Sequence, residues 1–102
     1  MPRIIKQPQA VDDLDEIYDY IAAQNLNPAA ADRFMDDLLV RMEGFARQPL
    51  MGELREDLGP EVRTFAFRKN YIVLYRPLDD GIDVLRVFHT ARDYPRLFHG
   101  GA

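Results

Sequence analysis

The chain has 102 residues, 47% of them hydrophobic and 29% charged, with a formal net charge of −4 and no cysteine. That length bounds it to a single domain, 1–102, with a real but modest core. The acidic balance opposes non-specific nucleic-acid binding, which draws its affinity from neutralising phosphates, and the missing cysteines exclude disulfides and thiolate metal sites.

"RIIKQ" at 3–7 reads as a first or edge strand. Pro8 then suits the first position of a helix, where a missing N–H costs nothing. Val11, Leu14, Ile17, Tyr18 and Ile21 follow at spacings of three and four, an amphipathic helix whose other face carries Asp12, Asp13, Asp15, Glu16 and Asp19. "NLNP" at 25–28 breaks that helix and supplies Asn27 as an N-cap with proline behind it. A second helix follows on the stripe Ala30, Phe34, Leu38, Met42 and Phe45, and Pro49 stops it.

Two amphipathic helices in succession need a surface for their apolar stripes. The segments 61–67, 71–77 and 82–90 are rich in β-branched and aromatic residues and read as strands. "RKN" and "LDDG" separate them, and the Asp-Gly pair favours a tight hairpin. In the last strand, strict alternation sets Ile82, Val84, Arg86 and Phe88 against Asp83, Leu85, Val87 and His89. The expected order is β-α-α-β-β-β: an α+β domain with an antiparallel sheet packed against an N-terminal helical hairpin. A short tail begins near residue 94, where Tyr94 before Pro95 reads as extended chain.

The charge is uneven. Residues 1–51 hold five basic and nine acidic side chains, whereas 61–102 hold seven basic and five acidic. Arg76 and Arg86, on neighbouring strands, could share a solvated face. His89 could serve as a base at neutral pH or as a packing residue beside Leu85 and Val87. Arg92 offers either an ion pair with Asp93 or an exposed cation. Tyr94, Leu97 and Phe98 make a small apolar surface that either covers the sheet or meets a partner. No Asp/Glu/His spacing suggests a metal site, and no cofactor motif is present. No apolar run approaches the roughly 20 residues of a membrane span, and no signal peptide is read at the N-terminus, so a cytoplasmic protein is expected.

The order and spacing of "A.DDLDEIYDYIAAQNLNPAAADRF", "P..G..R", "VR.F....Y.VLYR" and "I.VLRVFHTARD" resemble the ParE/RelE superfamily of bacterial type II toxins, over about Ala10 to Asp93. The resemblance implies a toxin neutralised by an antitoxin encoded beside it. Two branches are open. RelE-like members cut mRNA on the ribosome, with strand cations and a C-terminal tyrosine stabilising charge and moving protons. ParE-like members inhibit DNA gyrase without a known need for catalysis.

Aligned on Tyr71 and Arg92, the two strand lysines of the nuclease branch fall on Arg63 and Phe65. Its strand arginine falls on Ile72 and its tyrosine on Phe98. Phenylalanine can neither give nor take a proton, so the ParE-like branch is the expectation, with gyrase as target and a ParD-like antitoxin as partner. The candidate contacts for target or antitoxin are Arg63, Arg76, Arg86, His89, Arg92, Tyr94, Leu97 and Phe98. If the chain were RelE-like, Arg63, Arg92 and His89 would carry the chemistry. A binding module that keeps the scaffold and has lost toxicity is a third alternative.

Overall fold

The computed structural model describes residues 2–100. The chain runs β1 (Arg3–Lys6), α1 (Pro8–Asn25), α2 (Pro28–Arg47), β2 (Glu53–Leu54), a 3₁₀ turn (Glu56–Leu58), β3 (Arg63–Phe67), β4 (Tyr71–Leu78), β5 (Gly81–His89) and α3 (Tyr94–Gly100). The expected elements are all present, and three short ones, β2, the 3₁₀ turn and α3, are added. Both long helices begin on proline, at Pro8 and Pro28. The Asn27 side chain accepts a hydrogen bond of 3.0 Å from the Ala29 N–H, capping α2. Between the helices Leu26 takes the left-handed conformation at φ 48°, which lets its N–H bond back to Ala23 and close α1.

The strands form one five-stranded sheet in the order β1-β5-β4-β3-β2. It is not wholly antiparallel. β1 lies parallel to β5, with Ile4 beside Ile82 and Lys6 beside Val84. The helical hairpin is itself the crossover that carries the chain from one edge to the other, so β1 arrives at its partner from the same end. Gly81 is where β1 comes closest: a Cβ there would overlap the Arg3 backbone.

One sheet face carries the main core. Phe34, Leu38, Met42 and Phe45 of α2 bury against Phe65, Phe67, Tyr71, Val73, Tyr75, Ile82, Val84 and Val87. Phe45 stacks on Phe65 at 4.1 Å, and Phe34 meets Phe67 and Tyr71 edge-on. Each such side chain contributes about 1.5–3 kcal/mol of burial, so the α2 stripe read from the sequence holds the hairpin to the sheet. The other face has its own smaller core of Leu58, Val62, Leu74, Leu85 and Phe88, on which Tyr94 and Phe98 pack.

The alternation expected for the last strand fails at one point. Tyr75 pairs with Val84 but Leu74 pairs with Arg86, leaving Leu85 as an extra residue in a β-bulge. Ile82 and Val84 therefore share the helix-covered face with Val87, while Leu85 and Phe88 lie on the other. His89 does not sit with Leu85. A bulge inverts facing for every residue beyond it.

The tail also departs from expectation. Tyr94–Gly100 is helical, although Tyr94–Pro95 reads as extended. Pro95 stands in the first turn of α3, as Pro8 and Pro28 stand in the first turns of the long helices, and there a missing N–H is harmless.

Candidate functional site

A cavity of about 320 Å³ opens between α1 and the end of β5, lined by Asp13, Glu16, Ile17, Tyr20, Tyr71, Val87, Phe88, His89 and Arg92. The topology accounts for its place. The β1–β5 register runs only from Arg3 to Lys6, followed by a single further bond from the Gln7 N–H to the Val84 carbonyl. Beyond that point α1 takes over the edge of β5. The Asp13 carboxylate accepts a 3.0 Å bond from the Val87 N–H and two from the Arg86 guanidinium, at 2.8 and 3.0 Å. One carboxylate thus caps the edge of β5 that β1 has left and neutralises a cation.

The pair is largely removed from water, with side-chain exposures of 17% for Arg86 and 13% for Asp13. The hydrogen bonds that Arg86 donates to Asp13 push the Arg86 pKa upward against the opposing effect of partial burial. The Arg86 guanidinium also lies over the Phe88 ring, 4.4 Å from its centre.

The walls above this pair are aromatic. Tyr71 is buried, and burial is the main cause that raises its pKa. It meets the His89 ring edge-on at 5.2 Å. The His89 Nδ1 accepts the Ala91 N–H at 3.0 Å, which places the ring hydrogen of the neutral form on Nε2. Tyr20 leaves 59% of its surface in water on the α1 side. Arg92 is held through its backbone N–H, bonded to the His89 carbonyl, and its exposed guanidinium has no ion pair with Asp93 or with any other described residue.

The remaining candidates from the sequence are dispersed. Arg63 donates to the carbonyls of Leu50 and Gly52, at 3.1 and 2.8 Å, and ties the β2 approach to β3. It pairs with Tyr75, whereas His89 pairs with Tyr71. Four residues of β4 separate those levels, roughly 13 Å at strand spacing, so Arg63 does not join His89 and Arg92. Arg76 donates to the Pro60 carbonyl and lies beside Leu85 and Phe98, while Arg86 bonds to Asp13 of α1, so each cation is held by its own partner. Tyr94 takes a hydrogen bond of 3.1 Å from Arg55, whose guanidinium also holds Asp57. Phe98 packs on the second core, whereas Leu97 stays 41% exposed.

Of the candidates read from the sequence, His89 and Arg92 line this cavity together; their neighbours on α1 are not among them. Asp13 and Glu16 read only as part of the acidic face of α1, and Tyr20 is not singled out. Their spacing of three and four with Ile17 puts all four on one stripe of α1, which was the available signal.

Among the described residues no group of three His, Asp or Glu could hold a metal ion, and no helix is long and apolar enough to cross a membrane.

The family model described as "ParE toxin of type II toxin-antitoxin system, parDE" matches residues 4–94. Among solved structures, a chain of the "Chromosomal ParDE TA system from P. aeruginosa" is similar at a TM-score of 0.71 and 23% sequence identity, over 87% of this chain and 96% of that one. At that identity the likeness is one of fold. No match is found among curated proteins.

Proposed function

The chain belongs to the ParE toxin family of type II toxin–antitoxin systems, and on that footing we propose that it blocks replication by binding DNA gyrase, without catalysis of its own, and is neutralised by a ParD-like antitoxin. The observation that carries the choice between branches is the fate of the nuclease-type positions. Arg63 is spent on the Leu50 and Gly52 carbonyls, Ile72 is apolar, and Phe98 packs where a proton-transferring phenol would be needed. A cation bonded to two carbonyls is not poised to stabilise a pentavalent phosphate.

The net charge of −4 supports the same reading, because a protein that grips mRNA would have its own field against it. Inhibition by binding asks instead for a rigid scaffold with shaped surfaces. The antitoxin partner follows from the family and is supported by the ParDE system in which the similar fold occurs. Expression of the chain alone should arrest growth, co-expression of the antitoxin should restore it, and purified chain should inhibit supercoiling by gyrase. No growth effect at full expression of the folded protein would favour a scaffold that has lost toxicity and would remove this reading.

A further inference from the structure

We infer that the cavity between α1 and the end of β5 receives a single apolar side chain of the antitoxin, with an acidic residue of the same segment on Arg92. This deepens the reading of the chain as an antitoxin-bound toxin and rests on it. The inference begins with the charge inside the cavity. Its least exposed carboxylate, Asp13, is already satisfied by two bonds from Arg86 and one from the Val87 N–H. A charged head inserted there would find no uncompensated partner and would lose its hydration. The inner walls are Ile17, Val87, Phe88 and the rings of Tyr20 and Tyr71. An uncharged apolar side chain fits that lining, because it removes apolar surface from water on both partners.

The rim supplies the polarity of the docked segment. Arg92 lies on the β5 side, exposed and without a carboxylate among the described residues. Glu16 lies on the α1 side and is likewise exposed and unpaired there. A segment with an acid on one flank of the inserted residue and a base on the other would meet both, and the reverse order would place like charges together. Tyr20 is the wall most open to water, and covering it is the largest gain the rim offers: buried tyrosines are common anchors at interfaces.

The test uses the full chain and the ParD-like antitoxin encoded beside its gene, with affinity read by calorimetry. Tyr20 and Arg92 are both exposed, so Tyr20→Ala and Arg92→Glu should keep the fold, which circular dichroism checks. Each is expected to weaken antitoxin binding by about tenfold or more, while Tyr20→Phe, which keeps the ring, stays within about threefold of wild type. Ala and Glu variants that both bind within about twofold of wild type would overturn the inference and leave the toxin reading standing. Variants that bind antitoxin normally yet lose gyrase inhibition would assign the cavity to the target and overturn it equally. A wild-type chain that binds no antitoxin at all would remove the reading beneath it.

Discussion

Removing the Asp13 carboxylate is the most informative perturbation of the fold. In Asp13→Ala the Arg86 guanidinium, only 17% exposed, loses both its bonds, and the Val87 N–H loses its acceptor on the side of β5 that β1 no longer covers. Breaking a buried pair costs about 3–5 kcal/mol, and an orphaned N–H about 1–3. The two costs overlap, and the residual exposure lets Arg86 regain some water, so the expected loss is about 3 kcal/mol. For a domain of this size that is a fall of about 12–24 °C in Tm. Asp13→Asn keeps an acceptor for the Val87 N–H and should lose about half as much. Replacing both partners, Asp13→Ala with Arg86→Met, removes the charge along with its orphan, and the cycle should show a coupling of about 2 kcal/mol. Urea unfolding at 25 °C, with the slope unchanged between variants, measures all three. A cost below about 1 kcal/mol for Asp13→Ala, or a coupling below about 0.5, would refute the argument that this carboxylate closes the edge of β5.

Tyr75 donates its hydroxyl to the Pro49 carbonyl at 2.8 Å and accepts the Gly52 N–H at 2.9 Å, so Tyr75→Phe should cost about 1–3 kcal/mol in denaturant unfolding. Burial raises the Tyr75 and Tyr71 pKa values; stability from these two phenols is therefore present below the ordinary tyrosine range, near 10, and lost as pH rises through the folded values. An unfolding curve for Tyr75→Phe should accordingly fall less steeply above about pH 10 than that of the wild type, and an identical slope would contradict it. The Arg55 hydrogen bonds hold the Asp57 carboxyl below the usual carboxylate range, so its stabilising effect is lost as pH falls through the depressed value, and Arg55→Gln should return its NMR titration midpoint to the ordinary range. Leu26 is 92% exposed with φ 48°, so Leu26→Gly should raise stability by roughly 0.5–1 kcal/mol by relieving left-handed strain, and any clear loss in thermal melts would contradict that. His89→Gln should leave gyrase inhibition near wild type, and loss of inhibition in the folded variant would revive a catalytic role for the ring.

What could be read from the sequence was whatever local chemistry determines. Pro8, Pro28 and Asn27 announce helix starts by themselves, and the Phe34–Leu38–Met42–Phe45 stripe announces its own buried face. Long-range pairing is a different matter. Whether β1 lies parallel or antiparallel to β5 depends on where the helical hairpin returns the chain, which no residue in "RIIKQ" encodes. The bulge at Leu85 carries no glycine to mark it, so alternation places His89 beside Leu85 as well as Val87, and only Val87 shares its face. At Tyr94–Pro95 two rules compete: the residue before proline avoids the helix interior, yet proline favours a first helical turn. Packing of Tyr94 and Phe98 on Leu85 and Phe88 decides for the helix.

The site was legible in half. His89 and Arg92 stand in one motif, but their neighbours across the cavity lie some seventy residues earlier on α1. Nothing in "DDLDE" separates Asp13, which bonds to Val87 and Arg86, from the acids around it that face water.

The central claim is inhibition of gyrase by binding, and one paired assay addresses it directly. Purified chain is added to gyrase with relaxed plasmid and ATP, and in parallel to translating ribosomes with a defined mRNA. The account predicts loss of supercoiling, relieved by the antitoxin, with the mRNA left intact. Ribosome-dependent cleavage of the mRNA with supercoiling unaffected would contradict it.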